Sequence, residues 1–255
     1  MVRPTNLVVV GGGTGIGLAT VKKLLSETTV EHIVIASRNV EKIDNAIAKL
    51  NDDRVYSMRL DISDVKTHQD FICDVNKLIK CNIDGVIISS GIDFDGSNWK
   101  GFNISEEDYD RIMDTNLKGV FFLIRNYANY MYQNGIKGNI CVVSSISAHR
   151  DLLSVYQISK NALSGIEHAY GKYLCERGIV LNCIEPGTTD GGMLKYLSQY
   201  TDGIRPGMAW NDNSIRRVIR TEEVAEIICF LISDIGEIMS GICLLAGGGC
   251  KSISK

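Results

Sequence analysis

The sequence predicts an α/β protein built on a doubly wound parallel sheet with helices on both faces, and two observations carry that expectation. Seven apolar, β-branched runs alternate with helical patterns along the chain, and each run is continuously apolar rather than alternating. Strands separated by helices pair in parallel, and strands that are apolar on both faces need a helical layer on each side.

Leu7-Val-Val-Val10 reads as the first buried strand, and Gly11-Gly-Gly-Thr14-Gly15-Ile16-Gly17 turns it into an amphipathic helix over 15–26 that carries Leu18, Val21, Leu24 and Leu25. Further strands are expected at 33–35, 55–60, 85–88, 140–143, 179–184 and 242–245. The covering helices are expected at 40–50, 64–80, about 105 to 133, 154–177 and 221–234, with Ser105-Glu-Glu-Asp108 and Thr221-Glu-Glu223 as N-terminal starts. With 255 residues, 45% hydrophobic content and three prolines, the chain offers no linker or repeat, so one domain over 1–255 is the simplest account.

The net charge of −3 and the lack of a basic stripe argue against nucleic acid. No apolar run reaches the roughly 18 residues of a membrane span, and the first strand begins too early for a signal peptide, so a soluble cytoplasmic protein with no membrane partner is expected. The eight cysteines show no C-x-x-C spacing and most lie in apolar runs, as a reducing compartment permits. The four histidines share no metal-ligand spacing, so they are expected on the surface or in loops, with no metal bound.

Strand, glycine turn, helix is a phosphate cradle. Gly11 permits the tight turn, Gly15 lets backbone approach a pyrophosphate, and Gly17 lets helix and strand pack closely, with the helix N-terminus toward the negative charge. In parallel sheets, ligands bind beyond the carboxyl ends of the strands, so chemistry is expected just after each run. After the second run, Ser37 and Arg38 suit the 2′-phosphate of NADP(H), whereas NAD(H)-selective folds place a carboxylate there; a solvated arginine on an ordinary turn is the alternative. After the third, Asp61-Ile62 suits an adenine amino group, and Asp61 serves equally well as a cap for the next helix. After the fourth, Ser90 and Gly91 form a small-residue turn against which a ribose could lie, unless it is a plain loop.

Tyr156 and Lys160 stand four apart in a helical stretch and therefore share a face. One positive charge roughly 5 Å from a phenol, at an effective dielectric of about 20, is worth about 3 kcal/mol, enough to bring its pKa from about 10 to about 8. Tyr156 then becomes a usable acid near neutral pH. Ser145, eleven residues earlier at a strand end, could hold a carbonyl oxygen while Tyr156 protonates it. No G-x-S-x-G elbow surrounds Ser145, which argues against a hydrolase. Asn116 is expected mid-helix, where asparagine is a poor helix former; a polar kink joined to water is the functional reading, and chance the other. Glu185-Pro186-Gly187-Thr188-Thr189 fixes a turn whose backbone could meet a nicotinamide amide.

In combination, Gly11-x-x-x-Gly15-Ile16-Gly17, Asp61, Asn116, Ser145, Tyr156-x-x-x-Lys160, Asn182-x-Ile184-x-Pro186-Gly187 and Ser240-Gly241 leading to Gly248-Gly249 resemble the short-chain dehydrogenase/reductase family over essentially the whole chain. The resemblance implies a Rossmann-type domain with seven strands, NAD(P)-dependent hydride transfer on a small carbonyl or alcohol, and a homotetramer or homodimer. It implies Tyr156 as acid/base, Lys160 as ribose anchor and pKa-lowering charge, Ser145 as carbonyl orienter and Asn116 as holder of a relay water.

Departures from the family pattern are Val10 for a threonine, Ile88-Ser89-Ser90-Gly91 for Asn-Asn-Ala-Gly, Gly191 for a carboxamide-binding threonine, and Gly247 for an Asp or Asn. A substrate loop is expected at about 188–220, with Met193, Leu194, Tyr196, Tyr200, Met208 and Trp210 either lining an apolar site or packing on the body. His149, Arg150, Arg216 and Arg217 could meet an anionic substrate or be solvated loop charges. Lys172 stands where related acyl-carrier-protein reductases often have an arginine, which makes 3-oxoacyl reduction the runner-up activity.

Overall fold

A computed structural model describes residues 4–27, 29–93, 103–150, 154–191 and 213–250. Seven strands form one sheet in the order β3-β2-β1-β4-β5-β6-β7, and every pairing is parallel. They are β1 (Asn6–Val10), β2 (His32–Ser37), β3 (Val55–Arg59), β4 (Gly85–Ile88), β5 (Gly138–Val143), β6 (Ile179–Pro186) and β7 (Cys243–Ala246). The chain starts in the middle, winds outward to β3 and crosses back to β4. Strands β1 and β4 therefore diverge in their connections, which opens a crevice at their carboxyl ends.

The period-2 alternation of side chains divides the sheet into two apolar faces. Leu7, Val9, Ile33, Ile35, Ile87 and Cys141 point to one face, where α1 (Gly15–Leu25), α2 (Val40–Leu50) and α7 (Thr221–Leu231) bring Val21, Ile43 and Val224. Val8, Val10, Val34, Val86, Ile88 and Val142 point to the other, met by Phe71 of α3 (His68–Ile79), Tyr127 of α5 (Gly119–Gln133) and Leu163 of α6 (Val155–Cys175). Each central strand is buried from end to end, as its apolar run predicts.

The edge strands differ from that expectation. β7 is only partly covered and its Leu245 is 42% exposed, because an edge strand has a neighbour on one side and little helix over its end. The helix expected at 64–80 begins as a 3-10 turn (Val65–Thr67) before α3, with Asp64 accepting from the Lys66 N–H. The helix expected over 105–133 is α4 (Glu106–Met113), a π turn (Asp114–Lys118) and α5 in succession; Ser105 caps its start by accepting from the Asp108 N–H at 3.1 Å. A π turn inserts one residue into the helical ladder, and Asn116 sits in it.

One composition-based expectation is corrected. His68 is fully buried at the head of α3, with Nε2 3.0 Å from the Ile62 carbonyl, and burial holds its imidazole below the usual range. Of the eight cysteines, three are buried, and Cys73 and Cys175 are exposed on helices whose other faces supply the apolar periodicity. The expected substrate-loop residues Met193, Leu194, Tyr196, Tyr200, Met208 and Trp210 lie outside the described residues.

Glu167 of α6 faces the sheet and is fully buried, and burial pushes its carboxyl up to about 8. In chelator-treated protein the folded chain therefore holds a proton there that the unfolded chain releases near 4.5, so stability is lost as pH rises from about 4.5 through about 8. Glu167→Gln removes the titrating group. Denaturation midpoints measured across this window should fall with pH in the parent and stay nearly level in the variant; parallel curves would exclude Glu167 as the source.

Candidate functional site

A cleft of about 590 Å³ runs along the carboxyl ends of the strands, from the β1–α1 turn to the start of α6. At one end it is lined by Gly11, Gly13, Thr14, Gly15 and Ile16. Gly11 has φ +83°, and a Cβ on it would come within 3.0 Å of the Ser89 backbone, so the first turn needs glycine for both its conformation and its close approach to β4. A Cβ on Gly17 would collide with the Gly11 carbonyl, which is why helix and turn can touch there. Gly17 does not line the cleft; it lets the turn close.

Thr14 offers no side-chain cap to α1, and the first turn of that helix carries no acidic residue. Its N–H groups and the positive end of the helix dipole therefore face the cleft with no local acceptor of their own, which fits a bound anion.

Ser37 ends β2 and Arg38 follows it, both lining the cleft, and Arg38 is exposed. Two neighbours that the sequence reading did not single out join them, Asn39 and Lys42. Asn39 caps α2 by accepting from the Lys42 N–H at 2.9 Å, and Lys42 in the first turn of the helix joins Arg38, which precedes the cap, in lining the cleft. A second basic residue close after the strand end was the available signal. Neither Arg38 nor Lys42 is in a salt bridge among the described residues, so the wall presents two cations.

Asp61 is placed otherwise than expected. Its Oδ1 accepts from the Ser63 hydroxyl at 2.6 Å and the Ser63 N–H at 3.1 Å, and it does not line the cleft, although Ile62 does. Burial works to raise its carboxyl, but those hydrogen bonds and the Arg38 and Arg59 charges hold it below the usual range. It shapes the turn after β3, and the cap of the helix that follows is not Asp61: Asp64 starts the 3-10 turn and Thr67 precedes α3. Ser90 and Gly91 line the cleft, and a Cβ on Gly91 would lie 3.4 Å from Lys160 Nζ.

At the other end, Ser144, Ser145, Tyr156 and Lys160 converge. Ser154 starts α6 by accepting from the Gln157 N–H at 3.1 Å, which sets Tyr156 and Lys160 on the face toward β5. Lys160 is 3% exposed and donates to the Val143 carbonyl at 3.1 Å; its ammonium lies 5.6 Å from the centre of the Tyr156 ring. Burial lowers the Lys160 pKa to about 8. Tyr156 is hydrogen-bonded by Ser145, yet burial dominates and pushes the phenol up to about 12. The expectation of a phenol brought down by the lysine is thus reversed in the chain alone, because the same dry wall that brings the two together disfavours both charged forms.

Asn116 is fully buried and lies behind the cleft, not in its lining. Its Oδ1 accepts from the Ile92 N–H at 2.8 Å, while its Nδ2 donates to the Ile92 carbonyl at 2.7 Å and to Ser159 Oγ at 3.2 Å. The side chain thus fastens the loop after β4 to α6, while the expected kink at Asn116 is present as the π turn.

Pro186, Gly187 and Thr189 line the cleft after β6, and the Thr189 hydroxyl donates to the Gly187 carbonyl at 2.8 Å, tightening that turn. Gly191 has φ +75°, a left-handed conformation that favours glycine over a threonine, and it lies beside Gly15 of the phosphate turn. Of the four candidate anion contacts, Arg150 lines the cleft; Arg217 is forked onto Glu223 at 2.6 and 2.7 Å, and the Arg217 and Arg220 charges drop that carboxyl to about 2.

His149 belongs instead to an arrangement that the sequence reading missed. Glu185, 1% exposed, takes His149 Nε2 at 2.7 Å on one oxygen and the Ser164 hydroxyl at 2.5 Å on the other. The carboxyl thereby joins the turn that follows Ser145, the end of β6 and α6. Glu185→Ala should cost about 1–3 kcal/mol, since it strands the buried Ser164 hydroxyl, whereas Glu185→Gln keeps an acceptor and recovers most of it. Chemical denaturation of the two variants checks this, and equal losses would show that volume rather than hydrogen bonding matters.

Comparison with known proteins places this geometry. The short chain dehydrogenase family model matches residues 5–202. Dehydrogenase/reductase SDR family member 4 of Oryctolagus cuniculus is 28% identical over 254 residues, covering 96% of this chain and 93% of its own. A short chain dehydrogenase of Claviceps purpurea (strain 20.1) is 29% identical over 257 residues, covering 94% and 93%. Among solved structures, a variant actinorhodin polyketide ketoreductase with NADPH superposes with TM-score 0.81 at 21% identity, over 97% of this chain and 98% of its own. Another, a short chain dehydrogenase/reductase family protein, gives 0.80 at 24% identity over 96% of each chain.

Proposed function

The chain belongs to the short chain dehydrogenase family, and on that premise we propose that it is an NADP(H)-dependent oxidoreductase that reduces a small ketone or aldehyde to an alcohol, with Tyr156 as the acid. The observation that carries the reading is the meeting of Tyr156, Ser145 and Lys160 at one end of a cleft whose other end is an uncapped helix N-terminus. A dinucleotide fits those residues: Thr14, Gly15 and Ile16 would hold its pyrophosphate, Ser90 and Gly91 a ribose, and Pro186, Gly187 and Thr189 its nicotinamide end. Bound there, it would supply the hydride.

The protein's own part is protonation and orientation. A phenol pushed up to about 12 is fully protonated near neutral pH, which is the state required to give a proton to a carbonyl oxygen. The Ser145 hydroxyl, fixed by the Ser147 N–H at 3.1 Å, would share that oxygen. As the proton leaves, Lys160 opposes the developing phenolate charge; with a pKa of about 8 it remains mostly charged at pH 7. The dry wall that raises Tyr156 also strengthens this attraction.

Arg38 and Lys42 support NADP(H) over NAD(H), since neither is in a salt bridge among the described residues and β2 ends in Ser37-Arg38 rather than in a carboxylate that would repel a 2′-phosphate. Lys172 is exposed, three turns along α6 from Lys160 and outside the cleft lining, and gives no reason to prefer an acyl thioester.

Tyr156→Phe should lower turnover by about 10²–10⁴-fold while NADPH binding, followed by fluorescence titration, stays within a few-fold. Retained turnover would remove the phenol from the chemistry. Arg38→Asp should raise the KM for NADPH well above that for NADH, reversing the preference; an unchanged ratio in steady-state kinetics would reject the 2′-phosphate assignment.

A further inference from the structure

Behind α6, away from the cleft, three metal-ligating groups meet. Cys183 and Cys243 are direct partners in the β6–β7 register, so their side chains leave the sheet on the same face, and that face is the one α6 covers. Glu167 descends onto them from the helix. One carboxylate oxygen and the two sulfurs lie within 4.8 Å of one another, with Cys243 Sγ 3.9 Å from Glu167 Oε2.

The carboxyl is poorly satisfied where it lies. Glu167 has no exposure, its Oε1 has no hydrogen-bond partner, and a thiol is a weak donor to the other oxygen. A buried carboxyl left in this state costs stability. A cation would satisfy it.

We propose that Glu167, Cys183 and Cys243 bind one zinc-class divalent cation. Two sulfurs and a carboxylate are a borderline-soft donor set, which suits Zn²⁺ and disfavours Mg²⁺ or Ca²⁺. With Zn–S of about 2.3 Å and Zn–O of about 2.1 Å, tetrahedral donors stand roughly 3.6–3.8 Å apart, close to the Cys243–Glu167 separation. Binding displaces one proton from each thiol and one from the carboxyl; all three leave to solvent, and three negative ligands around a dication carry a net charge of −1. Cys243 is partly exposed on the edge strand, which supplies a way in. The fourth position falls to a water or to the Ser164 carbonyl, 3.7 Å from Cys243 Sγ. This inference is independent of the proposed reaction.

The test is Co²⁺ titration of the reduced, chelator-treated protein, followed by the thiolate-to-cobalt charge-transfer absorption, with displacement by Zn²⁺ and the thermal midpoint read alongside. The parent should take up one equivalent, show the band, lose it to Zn²⁺ and melt at higher temperature when loaded. Glu167→Gln and Cys243→Ser should each weaken uptake at least ten-fold, while Cys73→Ser/Cys175→Ser, which removes the exposed thiols, leaves it unchanged. Should Cys243→Ser fail to fold, Cys183→Ala takes its place. Absence of the band in the parent, its loss in the surface-thiol variant, or its full retention in Glu167→Gln would each overturn the site.

Discussion

An ammonium held in a nearly dry wall, with the Val143 carbonyl as its described hydrogen-bond acceptor, is the constraint around which the rest is arranged. Burying a cation is expensive, and burial lowers its pKa although the Glu167 and Asp93 charges work the other way. The fold tolerates it by surrounding it with short, fixed contacts. The Ser144 hydroxyl donates to the Lys160 carbonyl at 3.2 Å, Gly91 leaves the space its ammonium needs, and Asn116 locks the adjoining loop to α6 through Ser159. The π turn at Asn116 belongs to the same arrangement, because an interrupted helix is what brings a buried amide within reach of the Ile92 backbone.

The fold was legible because its signals are local. Continuous apolar runs mark the central strands, and glycine at 11 and 17 marks a turn where a Cβ would crowd neighbouring backbone. Edges were less legible: β7 reads as apolar as β5, and only the strand order shows that it lacks a second neighbour. Tyr156, Ser145 and Lys160 were likewise visible as a pattern, and the structure brings them together. Their protonation was not visible, because a pairwise estimate at fixed spacing counts the lysine's charge and omits the desolvation that both groups share.

The residues missed are those whose significance lies in three dimensions. Glu185 sits in a motif read for its proline and glycine, yet its carboxyl answers a histidine 36 positions earlier and a serine 21 positions earlier. Asp61 is the converse. Its position after a strand suggested a ligand contact or a cap for the next helix, and one of its oxygens instead holds the N–H and hydroxyl of Ser63, two residues on.

Tyr156, Lys160, Ser164 and Glu167 follow one another at intervals of four, four and three, so α6 lays a single polar stripe against the sheet where apolar residues would pack at no cost. Its members are answered along the last three strands: Tyr156 by the serine after β5, Lys160 by the last residue of β5, Ser164 by Glu185 of β6, and Glu167 by the thiols of β6 and β7. An apolar stripe could slide or rotate by small amounts and bury the same area. A stripe of specific polar pairs cannot, since a shift of one position would strand buried polar or charged groups at a cost of about 1–3 kcal/mol for each neutral one. The helix is therefore held in register along its length, and that register is what fixes the phenol and ammonium at the mouth of the cleft.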